Sequence, residues 1–178
     1  MLVKRYRNME LLGVLLCSLA AAVLSRFFNP EALNPLAVLL GSVNFSVWER
    51  LKPSVFCYFV YGGLELMCAK PFFRSFVVSK AVGLCAVIAV FLVVGSFSDT
   101  SACALLALSA GFFASYETMK LNPSRFFYIA CFMLLLIFVC FCCFTANPLR
   151  LEIFRDPETS MYGLIPPELD RGAFYLSS

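Results

Sequence analysis

Three ionisable residues fall inside apolar runs of this sequence: Glu65, Lys80 and Glu117. A charged group at membrane depth is costly, is usually paired, and marks a substrate path, an ion path or a proton relay. Glu65 shares a helical face with Tyr58, Tyr61 and Cys68, at successive steps of three, four and three residues. A turn at Lys70–Ser75 would bring Glu65 and Lys80 to similar depth, where they can pair with Glu117 beside them. Such a cluster could hold a small solute or a proton. It also has a purely structural reading: Lys80 snorkels to the headgroups, Glu117 marks the membrane edge beside Lys120, and a Glu–Lys pair fixes helix register.

A second constellation is Ser42, Asn44, Ser46, Trp48, Glu49 and Arg50. On a helix, Ser42, Ser46 and Glu49 share a face and Trp48 anchors at the interface. Two readings are open. The patch lines an outward-facing cavity, with Glu49 paired to Arg26 or Arg50, or it is the wet face of an interfacial helix.

Other chemistry has little to work with. The chain has no histidine, which removes the commonest general base and metal ligand. It carries no phosphate-cradling glycine loop, no Gly-x-Ser-x-Gly elbow and no His-based metal motif. The nine cysteines all sit in apolar runs, where cysteine acts as a small hydrophobe. Cys140, Cys142 and Cys143 fit no zinc spacing. The expectation is therefore a protein that is not an enzyme, with no cofactor and no metal. A net charge of +3 without a basic stripe gives no argument for nucleic acid.

The elements that must position these residues follow from composition. Of 178 residues, 61% are apolar and 14% charged, with a mean hydropathy of +0.86. That excludes an ordinary soluble domain. A membrane-spanning helix needs about 20 mostly apolar residues. Five segments qualify or nearly do: Glu10–Phe28, Val55–Ala69, Phe76–Phe97, Ala102–Met119 and Phe126–Ala146. The second follows Pro53, taken as a first-turn residue. The reading is all-α: a transmembrane helical domain over 1–146 and an extramembrane tail over 147–178, rich in proline and acid. The basic start at Lys4, Arg5 and Arg7 resembles a signal peptide, but the apolar run is long enough to be retained as a first span. Residues 36–51 are too short to span alone and suggest a re-entrant or interfacial helix leading into the second span.

Lys70/Arg74 and Lys120/Arg125 fall on one side in this topology. They place the N-terminus in the cytoplasm and the C-terminus outside. In the fourth span Cys103, Ala107, Gly111 and Ser115 recur every four residues, a small-residue stripe suited to close helix packing inside the bundle. The phenylalanine-rich fifth span is expected to face lipid.

The stretch Ser42-Val43-Asn44-Phe45-Ser46-Val47-Trp48-Glu49-Arg50-Leu51-Lys52 and the tail piece Phe154-Arg155-Asp156-Pro157-Glu158-Thr159 … Tyr162-Gly163 together resemble an uncharacterised family of small bacterial polytopic membrane proteins, a domain of unknown function. Its pattern is close to S-V-N-E-S-V-W-E-H-L-K early and F-x-D-P-x-T-x-x-Y-G late. Lys80-Ala81-Val82-Gly83 is also similar. The resemblance implies an all-helical protein of the bacterial cytoplasmic membrane with unassigned function. Phe45 stands where the pattern has Glu, and Arg50 where it has His. Asp156, Tyr162 and Gly163 match the tail motif. The tail would then fold over Ser42–Lys52 and close an outward-facing pocket.

The functional expectation is a small-solute binding or transport protein, acting in the lipid bilayer as a homo-oligomer or as a subunit beside a partner membrane protein. The alternatives are a structural or accessory membrane subunit and, least favoured, an intramembrane enzyme.

Overall fold

A computed structural model describes residues 2–26, 45–69, 71–95 and 100–157. Among these residues five long helices follow one another: α1 (Leu2–Arg26), α2 (Val47–Ala69), α3 (Phe73–Val94), α4 (Thr100–Lys120) and α5 (Phe127–Ala146). Short 3-10 turns at Ser124–Phe126 and Glu152–Phe154 flank α5. The all-α bundle expected from the hydropathy blocks is present. Among the described residues, α1, α3, α4 and α5 are each long and apolar enough to cross a membrane, which makes this a membrane protein. α2 is 23 residues long but carries Glu49, Arg50, Lys52 and Glu65. It keeps these charges off the apolar surface by packing against α1, α3 and α4.

The element boundaries correct two expectations. α2 begins at Val47 rather than Val55 and runs through Pro53, which lies inside the helix. Ser46 explains the early start. Its hydroxyl accepts from the Glu49 amide at 3.3 Å, the side-chain cap of a Ser-x-x-Glu start. Pro53 is seven residues after Ser46, where the surrounding Leu51, Lys52, Ser54 and Val55 are all buried, so packing holds the helix through it. The expected separate helix over 36–51 is therefore not separate at its end: Val47–Leu51 are the first turns of α2. Residues 36–44, including Ser42 and Asn44, lie outside the described residues, as do Tyr162 and Gly163.

α3 and α4 form the tightest pair. A Cβ added at Gly83 would lie 2.6 Å from the Gly111 carbonyl, and one at Gly111 would lie 2.9 Å from the Gly83 carbonyl. Two glycines facing each other let the backbones touch. Cys103, Ala107, Gly111 and Ser115 are all buried, so the small-residue stripe does face the bundle interior. Leu84, Phe91, Leu108 and Phe112 fill the space around it with Tyr58 and Leu51 of α2. α5 packs on the outside of α3. Ile129, Phe132, Leu135 and Phe138 lie on its exposed surface, which is the lipid-facing character expected. Ala130, Phe141 and Thr145 are the exceptions and are buried. The turn after α4 uses Asn122 at φ 48°, a left-handed position that asparagine tolerates.

Candidate functional site

Neighbouring helices run in opposite directions, so the start of α1, the end of α2, the start of α3 and the end of α4 meet at one end of the bundle. Glu10, Glu65, Lys80 and Ser115 lie on these four segments. Each is about 6–12 Å inside its helix end at roughly 1.5 Å per residue.

Their side chains converge. Lys80 Nζ lies 2.6 Å from Glu65 Oε2 and donates to Glu10 Oε1 at 2.9 Å. The Ser115 hydroxyl donates to the same Glu10 oxygen at 2.8 Å. Tyr6 OH contacts Ser115 Oγ at 3.1 Å and Ser79 Oγ at 3.3 Å. Glu65 is fully buried, and Glu10 and Lys80 nearly so, at 3% and 6% exposure. Aromatic rings surround the ammonium. The ring centres of Phe112, Tyr58, Phe76 and Tyr6 lie 5.0–5.7 Å from Nζ, within cation–π range. Tyr61 stands one turn from Glu65, donates its hydroxyl to the Met9 carbonyl at 2.5 Å and braces α2 against α1.

Two carboxylates thus share one ammonium. Glu10 Oε2 and Glu65 Oε1 are buried without a hydrogen-bond partner, although an unmatched buried acceptor is expensive. The expected Glu65–Lys80 pair is present, with Tyr58 and Tyr61 beside it. Glu117 is not part of the cluster. It is exposed and pairs with Lys120 at 2.6 Å. Ser115 is the α4 residue that faces inward, and Glu117 sits roughly 200° further round the helix. The place expected for Glu117 is taken by Glu10, which sequence reasoning missed. Glu10 looked like the border of the first span. Tyr6 and Gly13, in register with it on α1, mark the same buried face, as Tyr6 is buried and Gly13 abuts Phe112 and Tyr61.

The second constellation lies at the opposite end. Glu49 pairs with Lys52 at 2.5 Å, and Lys52 Nζ also donates to Thr145 Oγ1 of α5 at 3.3 Å. Arg50 does not pair with Glu49. It donates to the Gly95 carbonyl at 2.6 Å and to Thr100 Oγ1 at 3.3 Å, because the preceding turn of α2 directs it toward the α3–α4 junction. Trp48 is buried rather than set at a surface. Its ring stacks on Phe141 at 4.4 Å and meets Phe154 at 5.0 Å. Asp156 is buried and accepts from the Phe45 amide at 3.4 Å. The start of the tail therefore does fold onto the beginning of α2. At this end Trp48 Nε1 and Arg50 Nε are buried without a hydrogen-bond partner, and a half-open cavity of about 510 Å³ lies between the start of α2 and the tail. What sets the Glu10–Lys80–Glu65 end apart is that its unmatched atoms include carboxylate oxygens.

A half-open groove of about 150 Å³ runs along the outside of the latter cluster, between α2 and α3. Lys80 forms part of its wall together with Tyr58, Gly62, Gly63, Phe76 and Leu134. The nine cysteines are free thiols, all within helices. Compared with known proteins, the chain matches no family model, no curated protein and no solved structure.

Proposed function

We propose that the protein binds or carries a small solute within the membrane, with Glu10, Lys80 and Glu65 as its binding centre. The observation that carries this reading is the mismatch of two buried carboxylates to one ammonium. A pair kept only to fix helix register needs one partner for each charge. A second carboxylate, with acceptor oxygens unmatched in an apolar bundle, is a standing cost that bound donors would relieve. Ser115 and Tyr6 extend the polar lining, and the aromatic rings around Nζ favour positive charge at that point.

The motif resemblance and the basic loops supply the setting: a bacterial cytoplasmic membrane, with the N-terminus and the Glu10–Lys80–Glu65 end on the cytoplasmic side. The five helices among the described residues are few for a complete carrier, so the functional form in this reading is a homo-oligomer or a subunit of a larger assembly.

An accessory role is the competing reading. It is favoured by the groove beside the cluster, which is almost wholly apolar and offers no polar path for a water-borne solute. Native mass spectrometry of gently purified protein separates the two. A discrete bound mass that disappears in Glu65→Gln supports the binding centre. A bare chain, or one carrying only another protein, supports the accessory role.

A further inference from the structure

The Lys80 side chain has two faces with different surroundings. Its ammonium lies among Glu10, Glu65 and four aromatic rings. Its aliphatic stem faces the groove: a Cβ added at Gly62 would stand 3.8 Å from Lys80 Cδ. The stem is thus the partition between an apolar groove and a cage built for an ammonium. The groove is open on its outer side because α2 has glycine at two successive positions there. A Cβ at Gly63 would meet nothing within 4 Å.

We infer that the ligand of this site is an amphiphile bearing a primary ammonium group, which enters sideways from the bilayer. Its alkyl chain lies in the α2–α3 groove, and its ammonium joins the cage beside Lys80. The chemistry is complementary at both ends. The groove offers almost only apolar surface, which suits a hydrocarbon chain and no polar solute. The cage offers Glu10 Oε2, Glu65 Oε1 and the Tyr58 hydroxyl, all buried without a hydrogen-bond partner. Two of the three belong to carboxylates, so the head that matches them donates hydrogen bonds and carries positive charge. A carboxylate or phosphate head would meet like charge. An alcohol has one donor and no charge to set against the second carboxylate. An ammonium has three donors and one positive charge, and the surrounding ring faces attract it. Lys80 itself is the example within the structure: an alkyl chain ending in an ammonium already occupies the cage. This inference rests on the binding centre proposed above and names its substrate class.

The test uses the full-length protein in lipid nanodiscs with three photoreactive probes of equal chain length, an alkylamine, an alkyl alcohol and a fatty acid, each with a diazirine in its chain. Labelled peptides are mapped by mass spectrometry. The amine should label the groove segments of α2 and α3 roughly tenfold more than the alcohol or the acid, the gain that one charge-assisted hydrogen bond gives. Unlabelled alkylamine should compete and unlabelled alcohol should not, a comparison that needs no variant. Glu65→Gln should reduce amine labelling to the alcohol level. Gly63→Phe, at a position with open space around it, should abolish groove labelling for all three probes. Equal labelling by the three heads, or labelling spread evenly over the outer faces of α1 and α5, overturns the inference. If head-indifferent labelling accompanies a Glu65-dependent bound mass in native mass spectrometry, the ammonium amphiphile is rejected and the binding centre stands. If neither is seen, both are rejected.

Discussion

Glu10 of α1 and Lys80 of α3, 70 residues apart in the chain, are joined by a 2.9 Å charge-assisted hydrogen bond inside the bundle. The contact closes one end of the molecule, because Lys80 also holds Glu65 of α2 and Glu10 also holds Ser115 of α4. One ammonium and one carboxylate therefore tie four helices.

Removing that ammonium should be costly. Lys80→Met leaves two buried carboxylates facing each other without a counter-charge, and breaking a buried pair in this way costs about 3–5 kcal/mol. Pairing it with Glu65→Met should recover part of the loss, since one of the two orphaned carboxylates is then gone and Glu10 keeps its hydrogen bond from Ser115. Unfolding in mixed micelles of the two single variants and the double variant measures the difference. Simple additivity would contradict the description of the cluster as one unit.

Two glycine positions should respond in opposite ways. Gly83→Ala drives a methyl group into the Gly111 carbonyl and should cost about 1–3 kcal/mol. Gly63→Ala meets open space and should stabilise α2 by about 0.5–1 kcal/mol through its better helix propensity. Thermal unfolding of the two variants beside the wild type is the check.

Trp48 is the only tryptophan, so indole emission, excited selectively over tyrosine, reads the surroundings of Trp48 alone. Phe154→Ala removes a buried ring that lies 5.0 Å from Trp48 and 5.5 Å from Phe144. The emission should move to longer wavelength as water reaches the indole, with a loss of stability of about 3 kcal/mol. An unchanged spectrum would show that the tail does not cover Trp48 in solution.

Glu117→Gln should change neither stability nor ligand retention, because the Glu117–Lys120 pair is exposed and screened. Glu10→Gln should change both. Measured side by side, the two variants test which carboxylate completes the cluster.

The helical blocks were legible because apolar runs of membrane length have few other folds open to them. The small-residue stripe of α4 and the Glu65–Lys80 pair followed from spacing and depth. Glu10 was not legible as a site because a carboxylate at the edge of an apolar run reads as a boundary. Only the packing of Tyr6 and Gly13 shows that α1 turns that face inward. Glu117 failed for the converse reason: depth was read correctly, but the face of the helix was not, and residues two apart on a helix point in nearly opposite directions. The beginning of α2 was placed too late because Pro53 was read as a helix start, when the Ser46 cap about two turns earlier carries that signal.

Arg50 reaches out of α2 to the last turn of α3 and the first residue of α4. It clamps that hairpin from outside, at the end away from Glu10, Lys80 and Glu65. Any rocking of α3 and α4 against α2 is thereby given a pivot, and the amplitude of the motion grows with distance from it. The Glu10–Lys80–Glu65 cluster ties the same helices at the far end, so breaking that cluster alone would let them part there while Arg50 still held the pivot.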